Sequence, residues 1–361
     1  AQCGWPLEER TWAEAIRDAG YATGIVGKWH LGHFQKEYLP THRGFDFQYG
    51  HYNGAIDYNT HDRDGGHDWH RNDTASYDEG YSTRLVGKEA SKFVTEHAGK
   101  KRFFLYVPFN AVHSPFQVPG KYSQPYGQLN GNRKTYAGML AAMDEAVGEI
   151  VDAVEKAGAT DNTLFIFSSD NGGPAPGKVT DNGKYRAGKG TLYEGGVRVV
   201  AFATMPGHIK PGATVKQPMH IVDLYPTLIK LCGGKVDQKL PIDGLDVWPT
   251  LTEDKASPHS AILLNTTPRT GAVRVGDWKL VVRRGEEDPD NPTAGPGDTE
   301  TVELFDLTAD PYEKKNLAEH EPGKLKELQK VLADFASQAV PPKSRPKAAG
   351  FQSPKVWGES K

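Results

Sequence analysis

Two lysines and two histidines in this sequence are of the types that bind a tetrahedral oxyanion. Lys28 and His30 follow the apolar run 21–26 and are two residues apart, so in an extended backbone they point to the same side. His113 follows a second apolar run, and Lys189 lies among glycines. Cationic side chains neutralise charge that develops on a leaving oxygen, and a histidine can protonate that oxygen. Each residue alone also fits a solvated strand end or a structural histidine, but together they predict an anion site.

Asp170 and Asn171 form a second candidate site within "SSDNGG". They offer adjacent hard oxygen donors of the kind that Ca²⁺ and Mg²⁺ prefer, and the two glycines after them allow a sharp turn. The same pattern is typical of an ordinary Asp-Asn-Gly turn, and two residues cannot complete a calcium shell of about six to eight ligands. We therefore predict a calcium site, with magnesium as an alternative, that needs further carboxylates or a substrate oxygen. Such a metal would polarise the oxygens of the bound anion.

Two other patterns resemble binding motifs but favour simpler interpretations. The run "HDWH" at 67–70 suggests metal binding, although a polar surface loop is the more common structure for such a run. Gly183, Gly188 and Lys189 have the spacing of a phosphate-binding loop, but Gly190 stands where that motif has serine or threonine. We therefore predict no nucleotide-binding loop.

Alternating helices and buried strands are expected to position these residues. Apolar spacing predicts helices over 83–97 and 134–156, and a capping box at Thr11 to Glu14 predicts a short helix before the first strand. The candidate strands are uniformly apolar, which indicates a mainly parallel sheet sandwiched by helices. In such sheets ligands bind beyond the carboxyl ends of the strands. The candidate strands lie in 21–26, 102–109, 163–170 and 197–204.

The sequence changes character after about residue 240. A hairpin at Gly276-Asp277, a further strand in "TVELFDL" and an amphipathic helix after Pro322 predict a small C-terminal α+β domain with an antiparallel sheet. We therefore divide the chain into an α/β domain over 1–240, an α+β domain over 241–340 and a basic, flexible tail over 341–361.

Composition excludes several classes of protein. The 361 residues carry a net charge of −3, which does not favour nucleic acid as a partner. Two cysteines rule out a disulfide-dense scaffold or a tetrathiolate zinc site. No apolar run approaches the roughly 20 residues of a membrane helix, and no signal peptide is visible. The oligomeric state is not indicated.

Longer stretches resemble the type I sulfatases of the alkaline phosphatase superfamily, most of all their arylsulfatase B (N-acetylgalactosamine-4-sulfatase) group. The resemblance runs from about Pro6 to beyond Leu317 and keeps the family's order. It is carried by "GYATGIVGKWHLG", "LPTHRGFDFQYG", "VPFNAVHSPFQVP", "FSSDNGG", "GKGTLYEGGVRV" and "ELFDLTADPYEKKNL".

This resemblance implies an alkaline phosphatase-like fold and hydrolysis of sulfate esters on a sulfated sugar or glycosaminoglycan-like substrate. It implies that Lys28, His30 and Lys189 hold the sulfate and that His113 hydrogen-bonds it or protonates the leaving alcohol. It further implies that the Asp170–Asn171 pair ligates Ca²⁺, and that a cysteine-derived formylglycine is the nucleophile. A periplasmic, extracellular or lysosome-like compartment is typical of the family.

The chain departs from the family at its beginning. The family's first strand carries an Asp-Asp pair, and a Cys-x-Pro-Ser-Arg motif follows it; neither occurs in these residues. Cys3 is followed by "GWPLEE" and lies too close to Lys28, so it does not match the nucleophile. We therefore expect that an N-terminal segment is missing, that a central sheet edge is unpaired, and that this chain alone is inactive. The alternatives are a sulfated-glycan-binding pseudoenzyme and a phosphatase or phosphonate hydrolase of the same superfamily.

Overall fold

The computed structural model describes residues 4–266, 270–284, 300–340 and 349–359. Cys3 lies outside the described residues. The first 260 residues contain helices α1 (Trp12–Asp18), α2 (Ser82–His97), α3 (Gly120–Ser123), α4 (Gly131–Lys156), α5 (Glu194–Val197), α6 (Leu224–Leu231) and α7 (Trp248–Glu253). The strands of the same region are β1 (Ala22–Lys28), β2 (Phe47–His51), β3 (Asp62–Arg63), β4 (Gly66–His67), β5 (His70–Arg71), β6 (Thr74–Ala75), β7 (Phe103–Tyr106), β8 (Phe165–Ser168) and β9 (Ala201–Thr204).

The central sheet places the end of β1 among buried neighbours. Its strand order is β6-β5-β2-β1-β7, and β1 runs parallel to both β2 and β7. In this register Lys28 is paired with His51. Helices α2 and α4 cover one face, where Val86 and Val154 pack against Val26. The predicted α/β fold, with helices on the sheet, is confirmed. The sheet is mixed, because β5 and β6 add to the parallel strands β2, β1 and β7 in antiparallel pairings.

Helix α1 begins as its sequence predicts. The backbone N–H of Glu14 donates to Thr11 Oγ1 at 3.1 Å, and the N–H of Thr11 donates to Glu14 Oε2 at 2.7 Å. Such a cap stabilises a helix by about 1 kcal/mol. The buried face of α1 packs Ile16 against Ile229 of α6, which holds the layer behind β1.

Strands β8 and β9 form a separate pair. They run antiparallel, with Phe165 opposite Thr204, although Phe165 packs against the same apolar cluster as β7. Within the described residues β7 is hydrogen-bonded to β1 alone and β8 to β9 alone. Ile166 and Phe202 are 37% and 58% exposed. The helix layer therefore continues from β7 to β8, while the hydrogen-bonded sheet does not.

The C-terminal region is an antiparallel sheet covered by one long helix. Its elements are β10 (Ile262–Thr266), β11 (Thr270–Val275), β12 (Trp278–Arg284), β13 (Glu300–Asp306) and α8 (Pro322–Ala336). The strands pair in chain order, and Leu328 of α8 packs on Val273 and Leu280. The predicted α+β region with an antiparallel sheet is confirmed, including the turn at Gly276-Asp277.

Part of the expected flexible tail is packed on the first domain. Trp357 is 2% exposed, and its Nε1 donates to the carbonyl of Arg63 at 2.7 Å. The N–H of His67 donates to the carbonyl of Lys355 at 2.8 Å. Residues 349–359 therefore pack on the protein instead of forming the expected flexible tail, because Trp357 gives them apolar surface to bury. No helix in the described ranges is long and apolar enough to cross a membrane.

Candidate active site

Lys28 ends β1 at a point of close backbone approach. Its N–H donates to the carbonyl of Pro108 at 2.8 Å, and a Cβ at Gly27 (φ +134°) would lie 2.2 Å from that carbonyl oxygen. Among the described residues the Lys28 ammonium has no ion pair. Burial lowers its pKa below the ordinary value, the charge of Asp170 opposes that shift, and the charge of Lys189 adds to it. Lys28 is therefore an available cation within electrostatic reach of Asp170 and Lys189.

His30 follows in a left-handed conformation that turns the chain out of the strand. Its φ is +60°, and its N–H donates to the carbonyl of Tyr52 at 3.0 Å. Burial lowers the pKa of the His30 ring, and the positive charges of Lys28, His113, Arg63 and Lys189 lower it further. This lowered pKa favours the neutral ring, and an anion bound beside it would oppose the shift.

A buried carboxylate supports the loop behind His30. Asp68 is 0% exposed and accepts hydrogen bonds from the N–H groups of Tyr52 and Asn53 at 2.9 and 2.8 Å, and from His70 Nε2 at 3.2 Å. The same loop packs closely against the His30 ring, since a Cβ at Gly54 would lie 2.6 Å from His30 Nε2. The polar surface loop predicted for "HDWH" is wrong, because Asp68, Trp69 and His70 are buried.

His113 lies on an exposed loop that buried groups hold in place. Tyr58 is 0% exposed, and its hydroxyl donates to the carbonyls of Asn110 and His113 at 2.7 and 2.8 Å. His113 Nδ1 lies 2.8 Å from the carbonyl oxygen of Ser114, so this nitrogen carries the proton. In the neutral ring Nε2 is then an acceptor, and in the charged ring it is a donor.

Asp170 and Asn171 follow β8 directly. The Asn171 amide donates from Nδ2 to the carbonyl of Gly172 at 2.9 Å, which leaves its side-chain oxygen for another partner. The exposed Asp170 carboxylate has no hydrogen bond or ion pair among the described residues. Two hard oxygens fit part of a calcium or magnesium shell. The described residues contain no group of three or more His, Cys, Asp or Glu side chains that could hold a metal.

The Lys189 segment is locked to the Asp170–Asn171 turn by glycine contacts. The N–H of Lys189 donates to the carbonyl of Gly173 at 3.2 Å. A Cβ at Gly188 would lie 2.3 Å from the same carbonyl oxygen, so no larger residue fits there without a shift. The Asn182 side chain bridges the two segments. It accepts from the N–H of Gly173 and donates to the carbonyls of Gly173 and Ala187, with hydrogen bonds of 2.9 to 3.1 Å. The Lys189 segment and the Asp170–Asn171 turn therefore pack directly against each other.

Charge–charge interactions link the five charged or titratable residues that the sequence predicted for the site, which are Lys28, His30, His113, Asp170 and Lys189. Burial is the main cause of the lowered pKa values of Lys28 and His30. The charge of Asp170 opposes the shift of Lys28 and that of Lys189 adds to it, while the charges of Lys28, His113 and Lys189 add to the shift of His30.

Sequence reasoning missed two neighbours of this group. Arg63, in the polar hairpin β3–β4, contributes to the pKa shift of His30, and Tyr106 lies near enough to Asp170 for that carboxylate to raise its pKa together with burial. Arg63 carries no motif signal, since "HDRDGGHD" is typical of any turn.

Comparison with known proteins identifies the family of this chain. The sulfatase family model matches residues 5–234. Arylsulfatase J of Mus musculus is 37% identical, over 98% of this chain and 67% of its own length. N-acetylgalactosamine-6-sulfatase of Mus musculus is 34% identical, over 69% of this chain and 50% of its own length. The chain thus spans between half and two thirds of these relatives.

A solved structure supports the fold. The crystal structure of Ps i-CgsB in complex with k-i-k-neocarrahexaose superimposes with a TM-score of 0.82 and 29% identity, covering 93% of this chain and 76% of that one. The agreement extends over both the α/β region and the C-terminal sheet, since it covers nearly the whole chain. The chain therefore belongs to the sulfatase family, as a type I sulfatase of the alkaline phosphatase superfamily.

Proposed function

We propose that the protein is a calcium-dependent sulfatase that hydrolyses a sulfate ester of a sulfated sugar. The observation that carries the proposal is the grouping of Lys28, His30, His113 and Lys189 around the Asp170–Asn171 turn. The names of the relatives support a sugar substrate: one acts on N-acetylgalactosamine 6-sulfate, and one solved structure holds a carrageenan-type hexaose. A periplasmic, extracellular or lysosome-like compartment accords with the family.

Each side chain has a defined task in this proposal. Lys28, Lys189 and His30 bind the sulfate oxygens, and their charge stabilises the negative charge that builds up during sulfur–oxygen cleavage. His113 gives a proton from Nε2 to the departing alcohol while Nδ1–H remains bonded to the Ser114 carbonyl. Burial of Lys28 lowers its pKa but strengthens its attraction for an anion, because the local dielectric is low.

Two groups outside the described residues complete the site in this proposal. Asp170 and Asn171 would hold Ca²⁺ together with oxygen donors from a further segment, and such an ion would supply polarisation of the sulfate oxygens. A formylglycine, if that segment carries one, would supply the nucleophilic hydroxyl. Strands β7 and β8 pack on the same apolar cluster without hydrogen-bonding to each other, so in this proposal the segment would pair between them as a strand.

Two alternatives make different predictions. A pseudoenzyme that binds sulfated glycans is favoured by the lack of a matching nucleophile motif in the sequence. A phosphatase or phosphonate hydrolase has the same fold, as the phosphonate monoester hydrolase of Agrobacterium radiobacter shows with a TM-score of 0.59. Both bind tetrahedral anions, so they differ from a sulfatase in turnover and in the preferred central atom.

Turnover of paired aryl esters tests the proposal. The complete gene product, matured for formylglycine and supplied with Ca²⁺, is expected to cleave aryl sulfate faster than aryl phosphate. The 361-residue chain alone is expected to show negligible turnover of both. Dominant phosphatase activity of the complete product would overturn the sulfatase assignment, and the absence of any turnover would favour the pseudoenzyme. Sulfatase activity of the 361-residue chain would refute the need for a further segment.

A further inference from the structure

A buried ionic cluster joins the C-terminal sheet to the candidate active site. Lys279 of β12 is 0% exposed, and its Nζ lies 2.9 Å from Glu194 Oε1 and 2.7 Å from Glu313 Oε1. Both carboxylates are buried as well. Arg198 supplies a second cation, 3.7 Å from Glu194 Oε2. We call Lys279, Glu194 and Glu313 the ionic cluster.

The ionic cluster fixes the backbone as well as the side chains. Glu313 Oε2 accepts a hydrogen bond from the N–H of Glu194 at 2.6 Å, at the first residue of α5. Glu313 itself has a left-handed backbone, with φ of +56°. A side chain that receives both an ammonium and a backbone N–H has little freedom to move. The start of α5 is therefore held in one position relative to β12.

A second connection holds the other end of the same segment. Glu303 of β13 accepts from Arg186 Nη1 at 2.8 Å and from the hydroxyl of Tyr193. The Arg186 guanidinium lies over the Tyr193 ring, 4.0 Å from its centroid. The segment 186–194 is thus tied to the C-terminal sheet on both sides of Lys189.

The start of α5 also contacts the segment that follows the Asp170–Asn171 pair. Gly172 N–H donates to the carbonyl of Gly196 at 2.9 Å, and a Cβ at Gly172 would lie 1.8 Å from the carbonyl oxygen of Gly195. Together with the contact of Gly188 against Gly173, this leaves no free space between the two segments. A displacement of α5 would therefore move Lys189 and the Asp170–Asn171 turn together.

We propose that Lys279 and Glu313 are positioning residues for the anion site, acting through Glu194 to hold Lys189 and the Asp170–Asn171 turn in place. The inference deepens the proposed function and rests on it for the ligand class, a tetrahedral oxyanion. Apolar residues of similar volume stabilise a buried position as well as ions do. The directional bonds of the ionic cluster instead specify where the segment sits.

Inorganic sulfate is the probe, with hydrogen exchange as a second readout. In Lys279→Met, and in the milder Glu313→Gln, we expect sulfate affinity to fall about tenfold and exchange of residues 170–173 and 186–197 to accelerate. The control is Arg71→Met, which removes a 2.7 Å ion pair between β5 and Glu89 of α2. It should retain sulfate affinity within about twofold.

The outcomes separate this inference from the proposed function. Unchanged affinity and unchanged exchange in a folded Glu313→Gln protein would overturn the positioning role. If the unsubstituted chain does not bind sulfate, the anion site fails, and hydrogen exchange alone decides whether the ionic cluster positions the segment. If Lys279→Met does not fold, the triple variant Lys279→Met, Glu194→Gln, Glu313→Gln removes the unpaired charges. Slow exchange of 186–197 in that variant would also overturn the proposal.

Discussion

The two sides of the candidate site rest on different supports. Lys28 and His30 extend from a five-stranded sheet whose residues Val26 and Tyr49 are 0% and 2% exposed. The Asp170–Asn171 turn comes just after β8 of the two-stranded β8–β9 pair, and Lys189 lies in the connection between these two strands. Glycine contacts and buried ions hold both. We call these the sheet side and the segment side. The sheet side depends on the stability of the main core, whereas the segment side depends on a few specific contacts.

The largest loss of stability is expected from Asp68→Ala, on the sheet side. The substitution leaves the N–H groups of Tyr52 and Asn53 and the ring of His70 without their buried acceptor. Each unpaired buried donor costs about 1–3 kcal/mol, so we expect the free energy of unfolding to fall by about 4 kcal/mol. Urea titration measures it. The control Asp18→Ala removes an exposed ion pair to Arg10 and should cost less than about 1 kcal/mol. Equal losses in the two variants would contradict the assignment of Asp68 as a support.

The second largest loss of stability is expected at acid pH, from a buried histidine on the sheet side. His51 lies fully buried opposite Lys28, and burial lowers its pKa to about 4, against 6.5 for an ordinary histidine. Between these values the unfolded chain binds the proton and the folded chain does not, so stability falls as the pH falls from about 6.5 to about 4. Over this range the free energy of unfolding falls by about 3 kcal/mol in total, and no such fall occurs above pH 6.5.

The variant His51→Leu isolates this contribution. Unfolding measured at pH 7 and pH 4.5 should show a smaller acid-induced loss in the variant than in the unsubstituted chain. An identical loss in both proteins would show that other groups cause the acid sensitivity.

On the segment side, Gly188→Ala should disturb the site more than the fold. The added Cβ would meet the carbonyl oxygen of Gly173 at 2.3 Å, and relief of that clash moves Lys189. We expect a stability loss of about 2 kcal/mol and a roughly tenfold loss of sulfate affinity. Gly148→Ala in α4, where a Cβ meets nothing within 4 Å, should stabilise by about 1 kcal/mol and leave affinity unchanged. Unchanged affinity in Gly188→Ala would show that the segment tolerates movement.

On both sides, the elements that carry the site residues were easier to predict from sequence than the contacts that hold them. Apolar periodicity indicated the helices, the strands and the strand ends that carry Lys28, His113 and Asp170, because burial of a continuous face leaves a local pattern. The position of Asp68 was missed, since a buried carboxylate is recognised by its partners and not by its neighbours in the chain.

The ionic cluster was missed for a related reason. Lys279 follows Trp278 in an ordinary strand pattern, and its partners Glu194 and Glu313 lie in distant segments. Nothing local distinguishes such a lysine from a solvated one. The packing of Trp357 was missed because a short segment rich in Pro and Lys precedes it, which is typical of a tail.

A double-substitution cycle on sulfate binding tests the central claim, that the two sides bind one anion. Lys28→Met and Lys189→Met, measured by titration calorimetry with inorganic sulfate, should each lower the affinity about tenfold, which is about 1.4 kcal/mol. Lys121→Met, at an exposed position elsewhere, serves as the control and should leave the affinity unchanged. If both lysines contact the same anion, the double variant should depart from the sum of the single losses by more than about 0.5 kcal/mol. Additive losses, or unchanged affinity in either single variant, would contradict a shared site.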